Sequence, residues 1–253
     1  MRKLKVLDLF SGIGGFSLGL ERTGGFETVA FCEIEPFPRR VLAKHWPGVP
    51  CYEDVRKLTA AKLAADGIEY DIICGGFPCQ DLSISGKQAG IGQGTRSGMF
   101  SHMVELANES EQRQRPYIIF ENVSRLLSGP QEDNGAWFAQ FLWELAQIGY
   151  DVEWFCISAA SIGAPHERDR IWIVAYPDEA QLKRGSISSG VYAQHADFSN
   201  ACWGKDKPGV ERVSDGVPSQ MDRLAALGNA VVPQIPELIG NAILASIRES
   251  EAA

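Results

Sequence analysis

Short apolar runs that alternate with helical segments through the first half of the chain constrain its fold more than any other feature. Lys5–Phe10 reads as a strand, and Gly12-Ile13-Gly14-Gly15 turns it into a helix through about Arg22. Glu27–Cys32 is a second strand, and Pro36–Trp46 has helical spacing with Pro36 near its first turn. Asp54-Val55 closes an expected third strand, Ala60–Asp66 is helical, Tyr70–Cys74 is a fourth strand and Tyr117–Glu121 a fifth. Units of this kind close into a parallel sheet with right-handed crossovers. After the helix Ala136–Ile148 the pattern changes. Asp151–Ser158 and Arg170–Ala175 read as strands joined by a loop too short for a crossover helix, so they should pair antiparallel at the sheet edge. Residues 177–222 lose strong periodicity, and a last helix spans roughly Gln234–Arg248. The expected fold class is α/β and Rossmann-like: a mostly parallel twisted sheet with an antiparallel edge hairpin and a very small, irregular segment.

Composition narrows the setting. A chain of 253 residues suits one domain with a full core and a small appendage. No apolar run approaches a membrane span, and Met1-Arg2-Lys3 leads directly into a strand, not a signal peptide. The six cysteines form no CxxC pair, which points away from a zinc site or disulfide framework and toward reducing cytoplasm. The net charge of −8 leaves room only for a local basic surface toward nucleic acid.

Four constellations carry chemistry. Gly75-Gly76-Phe77-Pro78-Cys79-Gln80 follows the fourth strand and presents a thiol on a tight turn at the carboxyl edge of the sheet, where open α/β folds bind ligands. The connection onward to Gly98 is rich in Gly and Ser, which reads as a glycine-hinged lid or as a plain surface loop. Asp8-Leu9-Phe10-Ser11-Gly12-Ile13-Gly14-Gly15 is a glycine-rich turn into a helix start, with Ser17 where a dinucleotide fingerprint would have its third glycine. Glu33 stands about where an acid that holds ribose hydroxyls belongs. A purely structural turn with a chance acid remains open. Glu121, at the end of the apolar strand Tyr117–Phe120, should have its neutral form favoured by desolvation, or else it caps the next turn. Arg168 and Arg170, two apart, project from one face of an extended segment and suit a phosphate or a carboxylate, unless they are solvated partners of Glu167 and Asp169.

Taken together, the DLFSGIGG turn, GGFPCQ followed by SISGK, ENV at Glu121–Val123, the late R-x-R, and Gly228-Asn229-Ala230-Val231-Val232-Pro233 resemble the S-adenosylmethionine-dependent DNA (cytosine-5) methyltransferases. The likeness runs through nearly the whole chain. It implies that Phe10, Gly12 and Gly14 surround the methionine part of the cofactor, that Glu33 holds the ribose, and that Ile34 packs on the adenine. Asp54 and Val55 match the adenine-contacting pair, Pro78 adjoins the cofactor, and Asn229 and Val231 close the pocket. Cys79 matches the nucleophile that adds to C6 of a flipped-out cytosine. Glu121 would hydrogen-bond or protonate N3, with Arg168 and Arg170 completing the catalytic set. Gln80, Ser83 and Ser85 would touch DNA. The implied partner is double-stranded DNA, with no membrane and no metal; a monomer and a cognate restriction system are compatible with it. The implied division is a catalytic and cofactor-binding part at 1–176, a reduced target-recognition segment at 177–222, and a return to the catalytic domain at 223–253.

Two departures from the family pattern stand out. His166 replaces the glutamine usual two residues before the first paired arginine, which is expected to tune the site. The 177–222 segment is small and holds more acids than bases, a weak footprint for phosphates, with Trp203 as a core anchor or a wedge against DNA. A compact phage- or prophage-type enzyme with a short or relaxed target site is expected. An RNA (tRNA) cytosine-5 methyltransferase and a non-catalytic nucleic-acid-binding module of the same fold are the alternatives.

Overall fold

The computed structural model describes residues 2–77, 99–110, 114–128, 136–164, 166–180, 182–198 and 220–252. Pro78, Cys79, Gln80, Ser83, Ser85 and Trp203 lie outside the described residues. The strands are β1 (Leu4–Leu9), β2 (Phe26–Cys32), β3 (Cys51–Tyr52), β4 (Ile72–Gly76), β5 (Tyr117–Val123), β6 (Tyr150–Ser158) and β7 (Asp169–Pro177). The helices are α1 (Gly15–Arg22), α2 (Pro36–His45), α3 (Ala60–Ala65), α4 (Phe100–Asn108), α5 (Ala136–Gln147), α6 (Ser186–Phe198), α7 (Gln220–Asn229) and α8 (Gln234–Glu251).

One sheet runs in the order β3-β2-β1-β4-β5-β7-β6. Pairing is parallel from β3 to β5, and β7 runs antiparallel to both β5 and β6. The chain winds outward from β1 in one direction and from β4 in the other, so the topological switch point lies between these two strands. β7 enters the sheet against the direction of β5, pairing Arg170 with Val123 and Trp172 with Glu121. That reversal is what carries the paired arginines to the carboxyl end of β5.

Strand alternation divides the core between the two faces. Leu7, Leu9, Ile73, Ile118 and Phe120 pack with Phe100 of α4 and Phe141 of α5. On the other face Val6, Ile72, Ile119 and Trp172 pack with Phe16 of α1, Ile187 of α6, and Leu238 and Ile239 of α8. A Cβ on Gly15 would lie 2.5 Å from the Val231 carbonyl oxygen, and one on Gly19 would lie 2.1 Å from that of Pro233. The two glycines, four apart on α1, are what let residues 231–233 lie directly on the helix.

Two expectations need correction. Asp54 and Val55 are not on a strand: β3 stops at Tyr52, and the Asp54 side chain accepts from the Arg56 amide to cap a 3₁₀ turn, Val55–Lys57. Residues 177–222 are not uniformly irregular either, since α6 occupies 186–198 and packs Ile187 and Val191 into the second core. The stretch Ala226–Glu251 has the length and apolarity of a membrane span. It is interrupted at 230–233, however, and the apolar face of α8 is buried in the core.

Candidate active site

The site forms where β1, β4 and β5 end. After Leu9, Phe10 takes φ +52°, a left-handed conformation that strains a bulky side chain. Gly12 and Gly14, at φ +52° and +86°, carry the turn into α1 without that penalty. The Ser11 hydroxyl donates to the Asp8 carbonyl at 2.6 Å and accepts from the Cys32 amide at 3.2 Å, pinning the turn between β1 and β2. Beneath it the buried Asp8 carboxylate accepts from the amide and hydroxyl of Ser17, at 3.3 and 2.7 Å, and so caps the start of α1 from the strand. Burial pushes the Asp8 carboxyl up to about 7, although the Ser17 hydrogen bonds oppose the rise.

Glu33 emerges from β2 with both oxygens fixed. Oε2 accepts from the Gly12 amide at 2.7 Å and Oε1 from the Glu35 amide at 2.8 Å. Each oxygen keeps an acceptor site for a ligand. Beside it Ile34 is 59% exposed and offers an apolar surface on which a flat ring could pack. Ile34, Val55, Phe10 and Met99 line a cavity of about 480 Å³ that also holds Glu33 and Asp54. Arg56 donates to Asp54 at 2.8 and 2.7 Å, and this hydrogen bonding holds the Asp54 carboxyl below the usual carboxylate range. An apolar slot between two carboxylates offers what a nucleoside needs: a surface for the base, an acceptor for its amine, and an acceptor for its diol.

A second cavity, of about 530 Å³, joins Phe10, Gly12 and Glu33 to Gly76, Phe77, Glu121, Arg168 and Arg170, with Asn229 on its wall. Glu121 is only 8% exposed. Arg170 Nε lies 2.8 Å from its Oε1 and Arg168 Nη2 lies 3.9 Å away. Burial drives the Glu121 carboxyl upward while the two arginines pull it back, leaving it raised. That bias favours a carboxylic acid able to donate a proton. A Cβ on Gly76 would meet Glu121 Oε2 at 2.8 Å, so this glycine makes the space the carboxylate occupies.

The structure thus gathers Phe10, Gly12, Glu33, Glu121, Arg168, Arg170 and Asn229 around one cleft, with Ile34, Asp54 and Val55 in the adjoining cavity. Gly14 and Val231 line neither. The open side of Gly14 faces the Trp46 ring, 2.6 Å from where its Cβ would be, and Val231 borders a separate groove of about 510 Å³ with exposed His166. The sequence alone does not single out Asn122. Its Nδ2 donates to the Phe77 carbonyl at 3.1 Å, fixing the last described residue before the Pro78-Cys79 segment. The available signal was its position: an amide at the end of a fully apolar strand needs a buried partner.

A family model described as C-5 cytosine-specific DNA methylase matches residues 4–207. The Type II methyltransferase M2.BsuMI of Bacillus subtilis is 35% identical over 173 residues, covering 68% of this chain and 42% of that protein. The Type II methyltransferase M.Sau3AI of Staphylococcus aureus is 35% identical over 201 residues, covering 75% and 47%. A solved structure of a proposed DNA modification methyltransferase encoded within an E. coli prophage aligns with a TM-score of 0.58 at 27% identity, covering 72% of this chain and 49% of that one. The chain spans less than half the length of these curated relatives.

Proposed function

This chain belongs to the C-5 cytosine-specific DNA methylase family, and on that premise we propose that it methylates C5 of cytosine in double-stranded DNA. The observation that carries the reading is the cleft joining Glu33, beside the apolar-lined cavity of Ile34 and Val55, to a buried Glu121 flanked by two arginines. Glu33 is the proposed acceptor for the ribose hydroxyls of S-adenosylmethionine, Asp54 for the adenine amine, and Ile34 and Val55 pack on the ring. Bound there, the cofactor supplies the methyl group.

The proposed nucleophile is Cys79, two residues beyond Phe77 in the chain. Its thiolate adds to C6 of a cytosine turned out of the duplex, forming a C–S bond while Glu121 donates to N3. The C5 carbon gains enamine character and takes the methyl group. The C5 proton is then lost, and the C6–S bond breaks with its electron pair returning to Cys79. Arg170 holds the Glu121 carboxyl in place, and the cation pair beside the acid also favours a thiolate nearby. Gln80, Ser83 and Ser85 are the proposed DNA contacts. Because α6 belongs to the core, the proposed target-recognition segment narrows from 177–222 to the residues after Phe198. The cytoplasm is the proposed setting, with a restriction system as a compatible companion.

The test supplies labelled S-adenosylmethionine with unmethylated duplex DNA or with tRNA, followed by bisulfite sequencing. Label is expected in duplex DNA, none with Cys79→Ser, and a loss of at least about 10²-fold with Glu121→Gln. Label confined to tRNA would transfer the reading to RNA, and label in neither would reduce the chain to a binding module. DNA bearing 5-fluorocytosine should be trapped covalently by the wild-type protein and not by Cys79→Ser.

A further inference from the structure

Arg168 makes contacts that its place beside Glu121 does not explain. It sits just before β7, and Nη1 donates to the Gly228 carbonyl at 2.6 Å. Nη2 donates to the Asn229 carbonyl at 3.4 Å. Both acceptors belong to the last turn of α7, whose carbonyls lack intrahelical partners and lie at the negative end of the helix dipole. The same Nη2 stands 3.9 Å from Glu121 Oε1. A planar guanidinium holds five N–H donors on three nitrogens in a fixed fork, so it can bridge acceptors that lie apart, whereas an ammonium donates its three hydrogens from one atom.

What it holds matters. Asn229 lines the cleft together with Phe10, Gly12 and Glu33. Immediately downstream, the Val231 and Pro233 carbonyls lie on Gly15 and Gly19 of α1. The segment between α7 and α8 is therefore clamped from two sides, by the helix that begins at the glycine-rich turn and by Arg168.

We infer that Arg168 is a positioning residue for the cofactor side of the cleft, fixing Asn229 through the Gly228 and Asn229 carbonyls while its guanidinium also borders Glu121. The inference rests on the proposed function. It separates the two arginines: Arg170 serves the acid, whereas Arg168 links the acid to the wall of the cofactor pocket.

The test is calorimetric titration of the full chain with S-adenosylhomocysteine, without DNA, so that no turnover enters the reading. Arg168→Gln should weaken binding about tenfold, the scale expected when hydrogen bonds from a charged donor are lost. Arg170→Gln should leave affinity within about twofold. Arg168→Lys should fall between, and it carries the test if a thermal melt shows Arg168→Gln to be unfolded. In steady-state assays Arg168→Lys should raise the cofactor KM by a larger factor than it lowers kcat. Wild-type affinity in the Arg168 variants, or equal weakening by Arg170→Gln, overturns the inference alone. A wild-type chain that does not bind the nucleoside overturns the proposed function and the inference with it.

Discussion

Two adjacent glycines at the end of β4 answer to different constraints. A Cβ on Gly75 would sit 2.5 Å from the Leu9 carbonyl, a backbone atom in a neighbouring strand that cannot move aside. Gly75→Ala should therefore cost about 2 kcal/mol or more in urea unfolding, as overpacking does. A Cβ on Gly76 meets only the tip of the Glu121 side chain, which can turn. Gly76→Ala should change the unfolding midpoint little yet lower turnover about 10²-fold, because the acid moves. A variant that unfolds but keeps its specific activity would refute this. Asp8 gives a pH prediction at the same scale. Its folded carboxyl is raised to about 7 from the ordinary 3.8. Stability from the neutral form is present below the unfolded value and is lost as pH rises toward 7, by up to roughly 4 kcal/mol. Asp8→Asn keeps an acceptor for the Ser17 amide but does not ionise. Its thermal melts should lack the decline between pH 4 and 7, and at pH 8 it should be the more stable protein. The DLFSGIGG string made the turn legible, but nothing local showed that Asp8 lies wholly buried under it.

Two helices in this molecule, α1 and α6, are begun by strands. Asp8 caps α1 through Ser17, and Glu153 of β6 does the same for α6, accepting from the Gly185 amide at 3.1 Å and the Ser188 amide at 2.8 Å. The Tyr176 hydroxyl donates to the same Glu153 carboxylate at 3.1 Å. Removing the carboxylate leaves three donors short of a partner. Glu153→Ala should therefore destabilise by about 2–4 kcal/mol, while affinity for S-adenosylhomocysteine stays unchanged. Loss of nucleoside binding at full folding would place Glu153 in the site instead. This arrangement explains why α6 is hard to read in the sequence. Its serine- and glycine-containing stretch is a modest helix former, and both its cap and its packing partner, α8, are distant in the chain. The strands of the first half were legible for the opposite reason: parallel strands buried on both faces read as continuous apolar runs. The third strand reads too late in the sequence because Asp54 and Val55 belong to a turn that hangs from it.

At the scale of the molecule, topology does what spacing suggests but cannot decide. The R-x-R pattern allows two guanidinium groups on one face; only the antiparallel entry of β7 beside β5 brings them to Glu121. Those arginines are then committed to the protein, with Arg168 and Arg170 turned to Glu121 and Arg56 turned to Asp54. Charge elsewhere does not compensate. The net charge is −8, and the residues after Phe198 up to Ser219 balance Lys205, Lys207 and Arg212 against Asp206, Glu211 and Asp215. Between Pro78 and Gly98 the bases are Lys87 and Arg96, against Asp81. Each phosphate neutralised by a lysine or arginine contributes about −0.9 to the slope of log affinity against log salt. With so few bases in these two segments, duplex DNA binding through them should show a slope of about −2 to −4 in fluorescence-anisotropy titrations at several salt concentrations. Lys87→Ala and Arg96→Ala should each make it shallower by about one. A slope steeper than about −6 would require a basic surface that this charge distribution does not supply, and would move DNA recognition away from the cleft face.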